Sequence, residues 1–156
     1  MAIDTTGSIQ ISNNQFFDIL LPFLEKGKPI KINVVGNSMR PFICNGDQVI
    51  LATCTVDELK TGRVVLANYR NKFVLHRIIS IKGRKICLAG DGNTHQIEII
   101  SPSDVKAIAI AASRNSRDLH LNAKINIGLS MLWYYLRPLR KIWRKLNKQR
   151  NYEIKK

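Results

Sequence analysis

Ser38, His76 and Asp91 are the side chains of this sequence whose types combine into one chemistry. They offer a hydroxyl nucleophile, an imidazole that accepts a proton near neutrality, and a carboxylate. Cleaving an amide asks for a nucleophile, something to take its proton, and donors to the oxyanion that develops. Each residue also has an ordinary explanation: a turn serine capping its own backbone, a structural strand histidine, a turn aspartate after glycine. What raises them above that is where the chain sets them.

Ser38 stands in Gly36-Asn37-Ser38-Met39-Arg40-Pro41. Residues 30–35 alternate apolar and polar and are rich in β-branched side chains, which predicts a half-buried strand running into the serine. Gly36 ends that strand. Pro41 fixes its own φ and biases Arg40 away from helix, so Ser38 is expected on a stiff turn. His76 falls in a predicted strand over residues 73–81, where Val74, His76, Ile78 and Ser80 share a face because side chains alternate. Asp91 lies in Gly90-Asp91-Gly92-Asn93, a permissive loop that presents a carboxylate at the end of a predicted strand over residues 86–89.

The elements that must position these residues follow from the rest of the pattern. Residues 1–11 read as a lead-in. Ser12 reads as the N-cap of a helix over residues 13–26, with Phe16, Ile19, Leu20 and Phe23 as its apolar stripe and Gly27 and Pro29 as its stop. The Asn45-Gly46-Asp47 turn feeds a strand ending near residue 51. Residues 55–62 predict a short turn or single helical turn before a strand over 63–68, and a hairpin through 69–72 leads into the histidine strand. A turn at 82–85 and a last apolar stretch over 105–112 complete a mainly β domain with one helix before it and one after. Three parts result: a lead-in and helix over 1–29, a β domain over 30–113 and a basic helical tail over 114–156.

With 156 residues, 45% of them hydrophobic, the chain is long enough for one real core. Its 25 Lys and Arg against 11 Asp and Glu give a formal charge of +14, and the excess points to an anionic partner. Residues 137–156 alone hold nine Lys or Arg and one Glu, a net of +8. In that tail Leu132, Leu136, Leu139, Trp143 and Leu146 fall on one helical face, with Arg137, Arg140, Lys141, Arg144, Lys145 and Lys148 on the other. The apolar run over 125–136 is too short to span a bilayer, for which roughly twenty residues are needed. The tail is therefore expected to lie on an anionic membrane surface, with Trp133, Leu136, Arg140, Trp143 and Lys145 as its contacts. Docking of the same stripe on the β domain is the alternative, and nucleic acid is the least favoured partner.

Cys44, Cys54 and Cys87 are odd in number with no pair at metal-ligand spacing, so neither a disulfide framework nor a metal site is indicated. They suit a reducing compartment. The most apolar stretch near the amino end, residues 16–24, is interrupted by Asp18 and Pro22, and no signal peptide is read there. The expected location is cytoplasmic, peripheral on the inner face of the membrane.

Residues 34 to about 110 resemble the catalytic domain of signal peptidase I, in the clan shared with self-cleaving SOS-type repressors. The resemblance rests on four boxes in order: Gly36-Asn37-Ser38-Met39-Arg40-Pro41 with Gly46-Asp47 after it, Leu59-Lys60-Thr61-Gly62-Arg63-Val64-Val65, Leu75-His76-Arg77-Ile78-Ile79, and Gly90-Asp91-Gly92-Asn93. It implies a coiled β-sheet domain and a serine endopeptidase of the histidine-base type, cutting a signal or leader peptide after small residues without cofactor or metal. Ser38 would be nucleophile, His76 base and Asp91 the third member, with Glu98 in reserve, and the Ser38 backbone N–H would serve the oxyanion. Arg63 departs from the Asp the family commonly carries there. A catalytically inactive relative that binds peptides in the same groove is the alternative. A self-cleaving repressor fits less well, since only 37 residues precede Ser38 and the single Ala89-Gly90 pair comes after it.

Overall fold

The computed structural model describes residues 13–143 and residue 145. The lead-in, the Ser12 cap, Arg144, Leu146 and Lys148 lie outside the described residues. Helix α1 (Asn13–Glu25) is followed by strands β1 (Ile30–Asn33), β2 (Gln48–Ala52), β3 (Val64–Tyr69), β4 (Lys72–Lys82), β5 (Lys85–Ala89), β6 (Glu98–Ile100), β7 (Val105–Arg114) and β8 (Arg117–Asp118). Helix α2 (Lys124–Tyr135) comes last, and helical structure resumes over residues 137–143. The protein is mainly β, a curled antiparallel sheet in the order β1-β2-β7-β3-β4-β5-β6 with β8 on β7.

β3 shows why the sheet is covered on both sides. Val64 and Leu66 enter one apolar cluster while Val65 and Ala67 enter another, as the alternation of strand side chains requires. The first cluster is roofed by α1 through Phe17 and Leu24, and Phe17 packs against Phe73 of β4 with ring centroids 4.9 Å apart. The second is closed by the curl of the sheet, which brings Leu88 and Ile100 over Val65 and Ile108. The α1 stripe is displaced by one residue from the sequence expectation: Phe17, Leu20, Leu21 and Leu24 face the core, and Ile19 and Phe23 are exposed. Both stripes satisfy helical spacing, and only the packing partner distinguishes them.

The hairpin between β3 and β4 turns at Arg70 and Asn71, both at positive φ, a two-residue connection whose twist matches that of the strands. α2 lies close against Gly62, whose φ of +92° and contact with Ile127 leave no room for a side chain.

Candidate active site

Three segments meet at the end of β5. Ser38 follows β1 on an exposed turn closed by Arg40 N–H to the Asn37 carbonyl at 3.3 Å and by Ile43 N–H to the Met39 carbonyl at 3.0 Å, with Met39 buried beneath it. The Arg40–Pro41 peptide is cis. The turn is tied down behind the serine by Asp47, whose carboxylate accepts from the Cys44 N–H at 2.6 Å and from both arms of Arg114 on β7 at 2.8 Å. The Arg114 fork holds the Asp47 carboxyl below the usual carboxylate range.

The loop after β5 is stitched to that turn. The Gly92 N–H donates to the Ser38 carbonyl at 2.7 Å. A Cβ placed on Gly90 would stand 2.5 Å from the same Ser38 carbonyl and 3.0 Å from His76 Nε2, and one on Gly92 would stand 2.6 Å from the Asn37 carbonyl. Both glycines flanking Asp91 are therefore needed for close approach to the serine turn. They also bring His76 Nε2 and the Ser38 carbonyl oxygen to within about 5.5 Å of one another, since both lie that close to the place of a Gly90 Cβ.

His76 is buried, and its Nδ1 lies 3.1 Å from Glu98 Oε2. A carboxylate only accepts, so Nδ1 carries the proton and Nε2, 3.0 Å from where a Gly90 Cβ would stand, is the accepting nitrogen. Asp91, the third member expected from the sequence, is committed elsewhere. Its Oδ1 accepts from Arg77 Nε at 2.9 Å and its Oδ2 from Arg77 Nη2 at 2.8 Å. Sheet register explains the exchange. Ile78, Leu88 and Glu98 are paired across β4, β5 and β6, so they share one face, and His76 lies on that face two residues from Ile78. Arg77 points to the other side, where its planar fork takes the Asp91 carboxylate with two charge-assisted bonds that one imidazole nitrogen cannot match. Arg77 Nη1 also donates to the Gly62 carbonyl at 2.6 Å. Burial pushes the Asp91 carboxyl up, with Arg77 pulling against it.

The C-terminal helical segment supplies residues that sequence reasoning assigned to a membrane. Trp133 Nε1 donates to the Asp91 carbonyl at 3.0 Å, and Arg140 Nη2 donates to the same oxygen at 3.0 Å while its guanidinium stacks over the Trp133 ring. Arg137 is buried and donates to the carbonyls of Gly90 at 3.2 Å and Gln96 at 3.3 Å. Trp133 and Arg140 thus face the candidate site, Leu136 is half-buried, and only Trp143 and Lys145 of the expected membrane contacts are exposed. No sequence signal separates an arginine that grips a loop carbonyl from one that solvates a helix face.

A scan of protein families matches residues 4–112 to Peptidase S24-like, more than half of the chain. The chain belongs to the Peptidase S24-like family. This is the clan of signal peptidase I and of LexA-type repressors, so the family assignment covers both the peptidase and the self-cleaving readings. A search of curated proteins returned no match to this chain. The S24-like match ends at residue 112, before Trp133, Arg137 and Arg140. No helix among the described residues is long and apolar enough to cross a membrane.

Proposed function

We propose that this S24-like protein is a serine endopeptidase that cuts a separate peptide or leader, with Ser38 as nucleophile, His76 as general base and Glu98, in place of Asp91, as the residue that orients the imidazole. The observation that carries this reading is the His76 ring itself: one nitrogen is held by a buried carboxylate and the other lies beside Gly90, within about 5.5 Å of the Ser38 carbonyl oxygen. In the reaction the Ser38 hydroxyl would pass its proton to Nε2 as Oγ attacks the scissile carbonyl. The Ser38 backbone N–H would receive the oxyanion. The imidazolium, stabilised by Glu98, would then protonate the departing amine, and water would release the acyl group by the reverse sequence. Asp91 acts on this scheme as a wall, its loop held by Arg77 on one side and by Trp133 and Arg140 on the other.

Cleavage in trans is favoured over self-cleavage because the Ala89–Gly90 bond continues β5 and forms part of the site's floor, with Ala89 and Gly90 both buried. The preference for small residues before the cut is carried over from the signal peptidase resemblance.

The test is incubation of the full chain with a proteome-derived peptide library, with new termini and the intact mass of the protein read by mass spectrometry. New peptide termini after small residues, absent with Ser38→Ala and His76→Ala, are the expected result. A protein shortened in a Ser38-dependent way, with the library untouched, would overturn the trans reading in favour of self-processing. Peptide capture that is indifferent to Ser38→Ala would overturn catalysis in favour of a binding module.

A further inference from the structure

We propose that the outward face of the C-terminal helical segment is a docking surface for an anionic lipid bilayer. Ile125, Leu129, Leu132, Leu139 and Trp143 recur at helical spacing and are each half or more exposed, Ile125 at 72% and Trp143 at 65%. The inward face of the same segment packs Ile127 on Gly62 and otherwise engages the domain through polar atoms, with Ser130 and Arg137 buried and Trp133 donating to the Asp91 carbonyl. A surface helix of a water-soluble domain does not ordinarily leave a stripe of five large apolar side chains in water. An exposed apolar stripe of this length marks an interaction site.

Charge decides among occupants. Lys124, Lys141 and Lys145 are exposed along the segment, and no Asp or Glu occurs from residue 119 to residue 152. A second copy of the chain would bring two such acid-free cationic faces together, whereas anionic headgroups meet the lysines while acyl chains receive the leucines and Trp143. Nucleic acid would answer the lysines but leave the apolar stripe in water. α2 spans 12 residues, too short to cross, so the segment would lie in the plane of the interface. Because its inner face grips the Gly90 and Asp91 carbonyls, the Ser38 turn would stand only about one helix diameter, roughly 10–12 Å, above the lipid. The surface stands whether or not Ser38 cuts peptides.

The test is co-sedimentation of the full chain with mixed phosphatidylcholine–phosphatidylglycerol vesicles and with pure phosphatidylcholine vesicles. Its variants are Leu132→Glu/Trp143→Glu and a charge-matched control, Val56→Glu/Ile81→Glu, which alters exposed apolar residues elsewhere. Circular dichroism establishes that each variant is folded. The wild type and the control should pellet with the anionic vesicles and weaken at high salt. The helix variant should lose about a hundredfold or more in partitioning. Brominated lipid should quench Trp143 fluorescence in the wild type, a reading that needs no variant of the helix stripe and is made against Trp143→Phe. No binding to anionic vesicles, equal binding to neutral ones, undiminished binding by the helix variant, or unquenched Trp143 would each overturn the proposal. A dimer broken by Leu132→Glu/Trp143→Glu without vesicle binding would assign the face to a second copy instead.

Discussion

Gly90→Ala should damage the candidate site out of proportion to one methyl group. The added carbon would stand 2.5 Å from the Ser38 carbonyl, where ordinary contact begins near 3.4 Å, so one side must give by about 0.9 Å. The obstacle is backbone and cannot swing aside, and the Gly92 N–H already holds that carbonyl at 2.7 Å. On the other flank the methyl meets His76 Nε2 at 3.0 Å, and His76 is anchored to Glu98. Overpacking of this kind costs about 1–3 kcal/mol. In a chain of this size that lowers the melting temperature by roughly 2–12 °C. A shift approaching 1 Å between nucleophile and base should lower kcat by about a hundredfold. The assay pairs thermal unfolding with Ser38-dependent cleavage of a peptide taken from the library, and Gly128→Ala serves as control. Gly128 has open space around its Cα, and alanine there should be neutral or stabilising by about 0.5–1 kcal/mol. Wild-type melting together with wild-type cleavage in Gly90→Ala would refute the packing argument, and equal losses in Gly128→Ala would refute its attribution to this site.

Two further predictions separate the carboxylates of the structure. Glu98→Gln should leave the fold intact and lower kcat by about 10²–10⁴, since the amide no longer stabilises the imidazolium. Asp91→Asn should instead destabilise by about 3–5 kcal/mol, seen in urea unfolding, because it strands the buried Arg77 guanidinium. The third concerns acid. Asp47 has a folded pKa below its unfolded value, so its contribution is present above the unfolded value, near the ordinary carboxylate pKa, and is lost as pH falls through the folded one. Arg114→Met should flatten that part of the melting temperature against pH curve, and an unchanged acid limb would count against the pair.

The runs of apolar and β-branched side chains were enough to place β3 and β4 and their hairpin, because Val64 to Ala67 is apolar on both faces, Phe73 to Ile81 is apolar but for His76, Arg77 and Ser80, and both are bounded by turn residues. β6 has three residues and too little pattern to register in sequence, and its first residue is Glu98. That is why Asp91 and Glu98 remained interchangeable in the sequence: both are carboxylates after the same strand, and the choice between them depends on which face each shares with His76. Arg77 was visible beside the histidine, but its claim on Asp91 is a contact between elements that no local spacing encodes. The tail shows the same limit, since periodicity set Leu132, Leu139 and Trp143 apart from Arg137 and Arg140 yet could not say which side would face the protein.

The grip of Trp133, Arg137 and Arg140 on the loop after β5 has a practical corollary. Anyone trimming this polypeptide to the portion it shares with its kin would keep Ser38, His76 and Glu98 and discard the three side chains that hold the Gly90 and Asp91 oxygens. Such a fragment would carry the candidate catalytic side chains and lack the brace on the loop beside them.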